Sequence, residues 1–592
     1  MTDIAEETPT AAAEPARDDA VTGLRKYTDV LAVASYLGLA VYVTGRLWLG
    51  GSTIIAAGHQ GDRAFAEWNL AAAARALAHL DNPLFSRQMN VPLGVNTMAN
   101  TSMLGLGLPL APVTWLFGVP ATFNLAILIG LAGTGIAWYF VLSRHLVTSR
   151  LAAWVGGFVG GFAPSVTSHA ELHPNLVAQF MMPLIALHVL RLREPGHPIR
   201  RGLILAALVV YQAFLNEELL FITGLGLFVF IIVYCVSPRI RVRPLVRPFA
   251  LGAAVALLVA GVLLAYPLWF QFTGPGSYHG VEPTIAALRA DVLSIWSFAS
   301  NSLTIQYSAA NPIPETAPED NANFGWALLL AAVIIVVFLW RHLVVRAAGI
   351  TAVMFAVLSF GPELTVRKQP TGIPGPWALL DKLPLFDSAL PVRIAMGMTP
   401  CVAVLIAVGV DRLRSRFGAS WRDTAFAGAL AAALLLPNAP VPAPAVSFST
   451  PAFIADGTWR SYVGPGQSML VVPTPTFFEP SAIYWSARLD DDLPISHGYF
   501  LGPDANGRGR FGPDPRPSDL ILNDAYTTGQ VPAITDADRA QFREDLRYWH
   551  TAVILFLPGK NGTPALRTTV EQLIGRPPEQ AGTVSIWDTR TA

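Results

Sequence analysis

The chain turns apolar, again and again, for about the length of a bilayer. Such stretches lie at 29–50, 121–143, 151–166, 174–192, 202–217, 219–236, 248–270, 324–342, 347–364, 391–410 and 421–437. A perpendicular helix needs about 20 apolar residues to span the hydrocarbon, so the shorter stretches are expected to extend into their flanks. Inside lipid the backbone must satisfy its own polar groups, which helices do within one segment. Charged residues are 14% of the chain, against about a quarter in an ordinary soluble domain. The expectation is an α-helical polytopic membrane protein with about eleven transmembrane helices. Acidic and basic residues number 40 each, and this balance gives nucleic acid nothing to bind.

Arginine placement orients the spans. Arg144 and Arg150 flank one short loop, and Arg191, Arg193, Arg200 and Arg201 mark the next. Arg239, Arg241, Arg243 and Arg247, then Arg341 and Arg346, then Arg412, Arg414, Arg416 and Arg422 mark the others. The intervening loops are nearly free of Arg and Lys, so the basic set is assigned to the cytoplasm. Arg25 and Lys26 place the N-terminus there too. Residues 101–120 look like a further span, but a crossing there would turn every basic loop outward. They are therefore expected to be juxtamembrane or re-entrant, with Pro109 and Pro112 breaking the helix. Residues 51–120 then form the first outer loop, and 271–323 another long one.

The two ends differ from the middle. Residues 1–26 are rich in Ala, Thr, Glu and Pro and read as a disordered cytoplasmic tail. After 437 a Pro-rich linker leads into a stretch of ordinary polarity. Residues 468–473, 551–557 and 583–587 read as strands, with helices at 536–550 and 565–574. The expectation is a small extracytoplasmic α/β domain over 438–592, without a nucleotide-binding glycine fingerprint. Cys235 and Cys401 sit in apolar segments, so neither a disulfide nor a thiolate metal site is expected.

Polar residues gather where the outer face should be. Asp62 follows the first span and precedes an amphipathic helix bearing Phe65, Trp68, Leu70, Leu77 and Leu80. A carboxylate at the mouth of an apolar protein can act as a general base near a lipid-borne substrate, and it can also cap the helix. The helix suits a place in the membrane interface. His169, Glu171 and His173 occupy one turn between spans; the order His-x-Glu-x-His is not that of a zinc helix, and a phosphate is the better partner. Asn216, Glu217 and Glu218 interrupt a long apolar stretch, where acids are costly unless they face a cavity. Arg393 stands at the outer end of a span, away from the other arginines, and suits a lipid phosphate. Tyr278 and His279 open the long outer loop.

Together these features resemble the GT-C superfamily of integral membrane glycosyltransferases. The resemblance rests on an order of motifs: Gly61 and Asp62 with Phe65 and Trp68, then Asn82-Pro83-Leu84-Phe85, then Pro92, Gly94, Val95 and Asn96. The juxtamembrane stretch ending Leu116-Phe117-Gly118, the histidine turn and the Glu217–Glu218 turn follow. It spans about residues 29–440, and more narrowly it matches uncharacterised bacterial members. It implies transfer of a sugar from a polyprenyl-phosphate donor to an envelope glycan, lipid or protein on the outer face of a bacterial plasma membrane. By position, Asp62 would be the base and Glu171 the second-loop acid that helps place a substrate. His59, Arg63, Trp68, His169, His173, Asn216, Glu217, Glu218, Tyr278, His279 and Arg393 would contact substrate. Several relatives carry a second acid beside the first; here Asp62 is followed by Arg63, so no metal ligand set and no cofactor is assigned, although a divalent ion stays open. The alternative class is a transporter or flippase for a lipid-linked saccharide, against which stand the lack of an inverted repeat and the appended outer domain.

Overall fold

The computed structural model describes residues 14–49, 54–56, 60–282, 288–307, 319–416, 421–559 and 563–591. Helix α1 (Glu14–Leu49) is followed by strand β1 (Ile54–Ala56) and helix α2 (Gln60–His79). Next come α3 (Leu104–Phe117), α4 (Val119–His145), α5 (Arg150–Phe162), α6 (Met181–Arg191), α7 (Pro198–Leu215), α8 (Glu217–Cys235) and α9 (Arg243–Thr273). Helices α10 (Trp326–Phe338), α11 (Leu343–Ser359), α12 (Met398–Arg416) and α13 (Trp421–Leu435) complete the apolar set. Among the described residues, six helical stretches are long and apolar enough to cross a membrane: Lys26–Leu49, Val119–His145, Pro198–Leu215, Glu217–Cys235, Arg243–Thr273 and Pro391–Arg416. Helices also form at the other segments read as spans, but they are shorter.

Three expectations change. Helix α1 begins inside the segment read as a disordered tail, at Glu14 with Pro15 next to it. A leading acid and an early proline both suit a helix start. Second, Pro109 and Pro112 do not break α3, which runs through both. Pro109 has no N–H for the carbonyl of Gly105, four residues back. That carbonyl instead accepts the Tyr211 hydroxyl of α7 at 2.8 Å, so the neighbouring helix supplies the missing bond. Third, α2 is not an interfacial helix. It is buried between α3 and the helix Ser481–Arg488. Its run of alanines, Ala71–Ala74, allows this: a Cβ at Gly107 of α3 would fall 2.6 Å from that of Ala73.

The C-terminal part starts where β2 (Ala445–Ser447) pairs antiparallel with β1. Strands β3 (Ser468–Val472), β4 (Thr551–Phe556), β5 (Glu579–Ala581) and β6 (Val584–Asp588) form one sheet in the order β5-β6-β4-β3. Strands β3 and β4 are parallel, and the other pairs are antiparallel. Side chains alternate between faces. Leu470, Val472, Ile554 and Trp587 pack on Phe542, Leu566 and Val570 of the helices Asp536–Tyr548 and Thr563–Ile574. Met469, Val471, Val553 and Leu555 face the other way, into the same cluster as Trp68 and Trp485. The sheet is thus buried on both sides, and the segment bridged to β3 at Ile495 is tied to α2 by the bond from Trp68 to Asp491.

Candidate functional site

Asp62 lies in the first turn of α2, where an acid is favoured by the helix dipole. One-fifth of its side chain is exposed. Its Oδ1 accepts a 2.9 Å hydrogen bond from the hydroxyl of Tyr499, and Nε2 of His173 stands 3.6 Å from Oδ2. Burial pushes its carboxyl up to about 6, against the pull of Tyr499 and of Arg393. Burial and the neighbouring Asp62 also push the Tyr499 hydroxyl well above its ordinary range, so it remains a donor.

A continuous chain of polar contacts runs on from His173. Its Nδ1 lies 3.1 Å from Nδ1 of His169, and Nε2 of His169 lies 2.9 Å from Oδ1 of Asn321. Asn321 donates to Glu319 at 2.7 Å. Arg393 donates to the other oxygen of Glu319 through Nε at 3.0 Å and Nη2 at 2.8 Å, and to Glu218 through Nη1 at 3.1 Å. Burial alone would raise Glu319, but Arg393 and His169 hold it down at about 2. His169 is fully buried, and burial lowers its basicity, opposed by Glu319.

These groups border a cleft of about 560 Å³ lined by Asp62, His173, Glu217, Glu218, Tyr499 and Arg393 on its polar side. Phe65, Met103, Phe221, Phe272 and Leu385 line its apolar side. One cleft therefore offers carboxylates, a guanidinium and a greasy wall. Arg393 has five N–H groups, of which three are taken by these bonds, which leaves donors for an anionic oxygen.

The residues singled out from sequence divide into three sets. Asp62, His173, Glu217, Glu218, Tyr278, His279 and Arg393 line the cleft. Glu217 accepts from Gln271 at 2.8 Å, and Tyr278 donates to the carbonyl of Ala99 at 2.7 Å. His169 stands behind the cleft as a buried partner of His173. The other described ones point elsewhere. Arg63 forms a fully buried ion pair with Glu67 at 2.9 Å and lies over the ring of Phe123. Trp68 is fully buried and donates to Asp491 at 2.7 Å. Asn216 caps α8 by accepting from the backbone of Leu219 at 2.8 Å. Glu171 is not among the residues lining the cleft; burial pushes its carboxyl up to about 7, against the charge of Arg63. His59 lies outside the described residues.

Four cleft or network residues had no weight in the sequence reading: Gln271, Glu319, Asn321 and Tyr499. The Glu319-Asp320-Asn321 cluster, just before an apolar run, carried a signal like that of Glu217 and Glu218. Tyr499 carried none, since it lies among small and aromatic residues far along the chain. No group of three or more His, Cys, Asp or Glu side chains is placed to hold a metal ion among the described residues.

No known family model matches the sequence, and no curated protein matches it. Solved structures do. The oligosaccharyltransferase AglB from Archaeoglobus fulgidus, in complex with an inhibitory peptide and a dolichol-phosphate, superposes with a TM-score of 0.50 at 12% identity. That match covers 90% of this chain and 69% of AglB. The apo oligosaccharyltransferase of the same organism gives 0.52 at 10% identity, covering 90% and 70%. The arabinofuranosyltransferase AftD from Mycobacteria gives 0.54 at 15% identity; it covers 95% of this chain but 40% of AftD. The fold is therefore shared with these oligosaccharyl- and arabinofuranosyltransferases, and the apolar helices are those of a multi-pass membrane protein.

Proposed function

We propose, from the fold shared with these membrane glycosyltransferases, that this chain transfers a sugar from a polyprenyl-phosphate donor to an envelope acceptor. The acceptor is a glycan, lipid or protein on the outer face of a bacterial plasma membrane, with the N-terminus in the cytoplasm. The observation that carries the reading is the Tyr499–Asp62–His173 arrangement at the polar side of a cleft whose other wall is apolar. An acid with a value near 6 is mostly ionised at neutral pH and basic enough to take a proton from a hydroxyl as it reacts.

The step balances simply. The acceptor hydroxyl loses its proton to Asp62 while its oxygen bonds to the anomeric carbon. The bond from that carbon to the phosphate oxygen breaks, and the electron pair leaves on the polyprenyl phosphate. Arg393 receives the growing phosphate charge through its remaining N–H groups. The apolar wall of Phe221, Phe272 and Leu385 accommodates the lipid. A single displacement inverts the anomeric configuration.

The test is transfer by the purified protein in nanodiscs, offered radiolabelled polyprenyl-phosphate mannose, arabinose and glucose with an envelope extract, beside Asp62→Asn. Label entering glycan, lipid or protein with the wild type alone supports the reading. Movement of donor between leaflets without transfer supports the flippase class instead.

A further inference from the structure

The hydrogen-bond directions in the buried cluster follow from one fixed point. Arg393 can only donate, and Glu319, held by it, can only accept. The second oxygen of Glu319 therefore takes the 2.7 Å bond from the amide nitrogen of Asn321. That orientation aims the amide oxygen at Nε2 of His169, 2.9 Å away. An amide oxygen accepts, so His169 carries its proton on Nε2. Since His169 is wholly buried and kept neutral, its Nδ1 is bare. The proton in the 3.1 Å contact between the two Nδ1 atoms consequently belongs to His173. A neutral His173 with its proton on Nδ1 turns a lone pair on Nε2 toward Asp62. The 3.6 Å separation from Oδ2 is longer than a hydrogen bond and closes with a small side-chain rotation.

We propose that His173 is the second proton site of this reaction, accepting through Nε2 the proton that Asp62 removes from the acceptor. The inference rests on the reading of Asp62 as base. The proton passes from Oδ2 of Asp62 to Nε2 of His173, Asp62 is left ionised, and the imidazolium releases the proton to water in the cleft that His173 lines. While it lasts, the imidazolium donates from Nδ1 to His169 and from Nε2 to the restored carboxylate, a charge-assisted bond. Among the described residues, the charged and titratable groups around it include Asp62 and Tyr499 on one side, and His169, Glu319 and Arg393 on the other. His169 and Asn321 are positioning residues: they hold the tautomer and touch no substrate. The two histidines thus serve the proton, and the phosphate is left to Arg393.

Two measurements decide it. In wild-type protein labelled with nitrogen-15 histidine, NMR is expected to show His169 protonated on Nε2 and His173 on Nδ1; a neutral His173 protonated on Nε2 overturns the proposal. In the transfer assay, His173→Ala is expected to lose about 100-fold in kcat with the donor KM changed less than about twofold, and free imidazole restores part of the loss. Undiminished kcat, or a loss that imidazole does not relieve in protein that still binds donor, overturns the relay. Asn321→Leu, which frees the tautomer without removing a proton site, is expected to lose less and to ignore imidazole. Wild-type protein that transfers nothing overturns the glycosyl-transfer reading, and the NMR arm then still decides the tautomer.

Discussion

Tyr499 reaches Asp62 across 437 residues of sequence and donates to its Oδ1 at 2.9 Å. The contact ties the C-terminal part of the chain to the first turn of α2. Beneath it, Trp68 and Ser86 both donate to Asp491, at 2.7 and 3.0 Å. The segment 491–499 is thereby fixed to α2 at both ends, through Trp68 and through Asp62. Because the Tyr499 bond favours the ionised carboxylate, Tyr499→Phe is expected to raise the value of Asp62 further. Transfer needs that carboxylate unprotonated, so the wild-type rate falls as pH drops through about 6. In Tyr499→Phe the acid limb moves to higher pH, which a pH–rate profile of kcat checks.

Removing the base alone has a different signature. Asp62→Asn keeps the size of the side chain and a hydrogen-bond partner for Tyr499, but cannot take a proton. A kcat loss of about 100-fold or more is expected, with donor binding retained. Equilibrium binding of labelled lipid beside the transfer assay separates the two effects.

Arg393 joins Glu319 and Glu218, at 2.8 and 3.1 Å. Arg393→Ala strands two carboxylates and is expected to cost about 3–5 kcal/mol, as for other broken buried pairs. Adding Glu319→Gln to Arg393→Ala recovers part of that loss. Thermal unfolding in detergent reads both. The pH dependence has a definite sign: with Glu319 lowered to about 2 from 4.5, its stabilising share is present above 4.5 and is lost as pH falls toward 2.

The Arg63–Glu67 pair is a structural element of α2 with both side chains fully buried. Glu67→Ala is expected to destabilise by about 3 kcal/mol, because it leaves a buried guanidinium with less compensation. The KM for donor in the surviving folded protein stays unchanged. A selective rise in KM without loss of stability would return Arg63 to the substrate.

Tyr211 and Pro109 form a testable pair. Tyr211→Phe removes the donor to the Gly105 carbonyl and is expected to cost about 1–3 kcal/mol, the penalty of an unsatisfied buried acceptor. Pro109→Ala in that background supplies a backbone N–H and recovers much of it. Melting temperatures of the two single variants and the double close the cycle.

Hydropathy alone determined that this chain is helical and crosses a membrane several times, because the cost of exposing apolar surface or unpaired backbone is local to each segment. The place just after the first span marked Asp62, and charge among apolar residues, which needs a cavity or a partner, marked Glu217, Glu218 and Arg393. The strands at 468–473 and 551–557 were legible from their unbroken β-branched and aliphatic runs. Tertiary structure alone decided which partner each polar group found. Asp62 and Arg63 are adjacent in sequence, yet one turns to the cleft and the other to Glu67 and Phe123. Helical periodicity sends neighbouring residues to different faces, but only packing says what each face meets. Tyr499, Glu319 and Asn321 joined the site from distant segments, through contacts whose closure leaves no local pattern. The tautomers of the two histidines lie at that level as well, because they depend on which atom of Asn321 faces His169, and Arg393 settles that from a distant segment through Glu319.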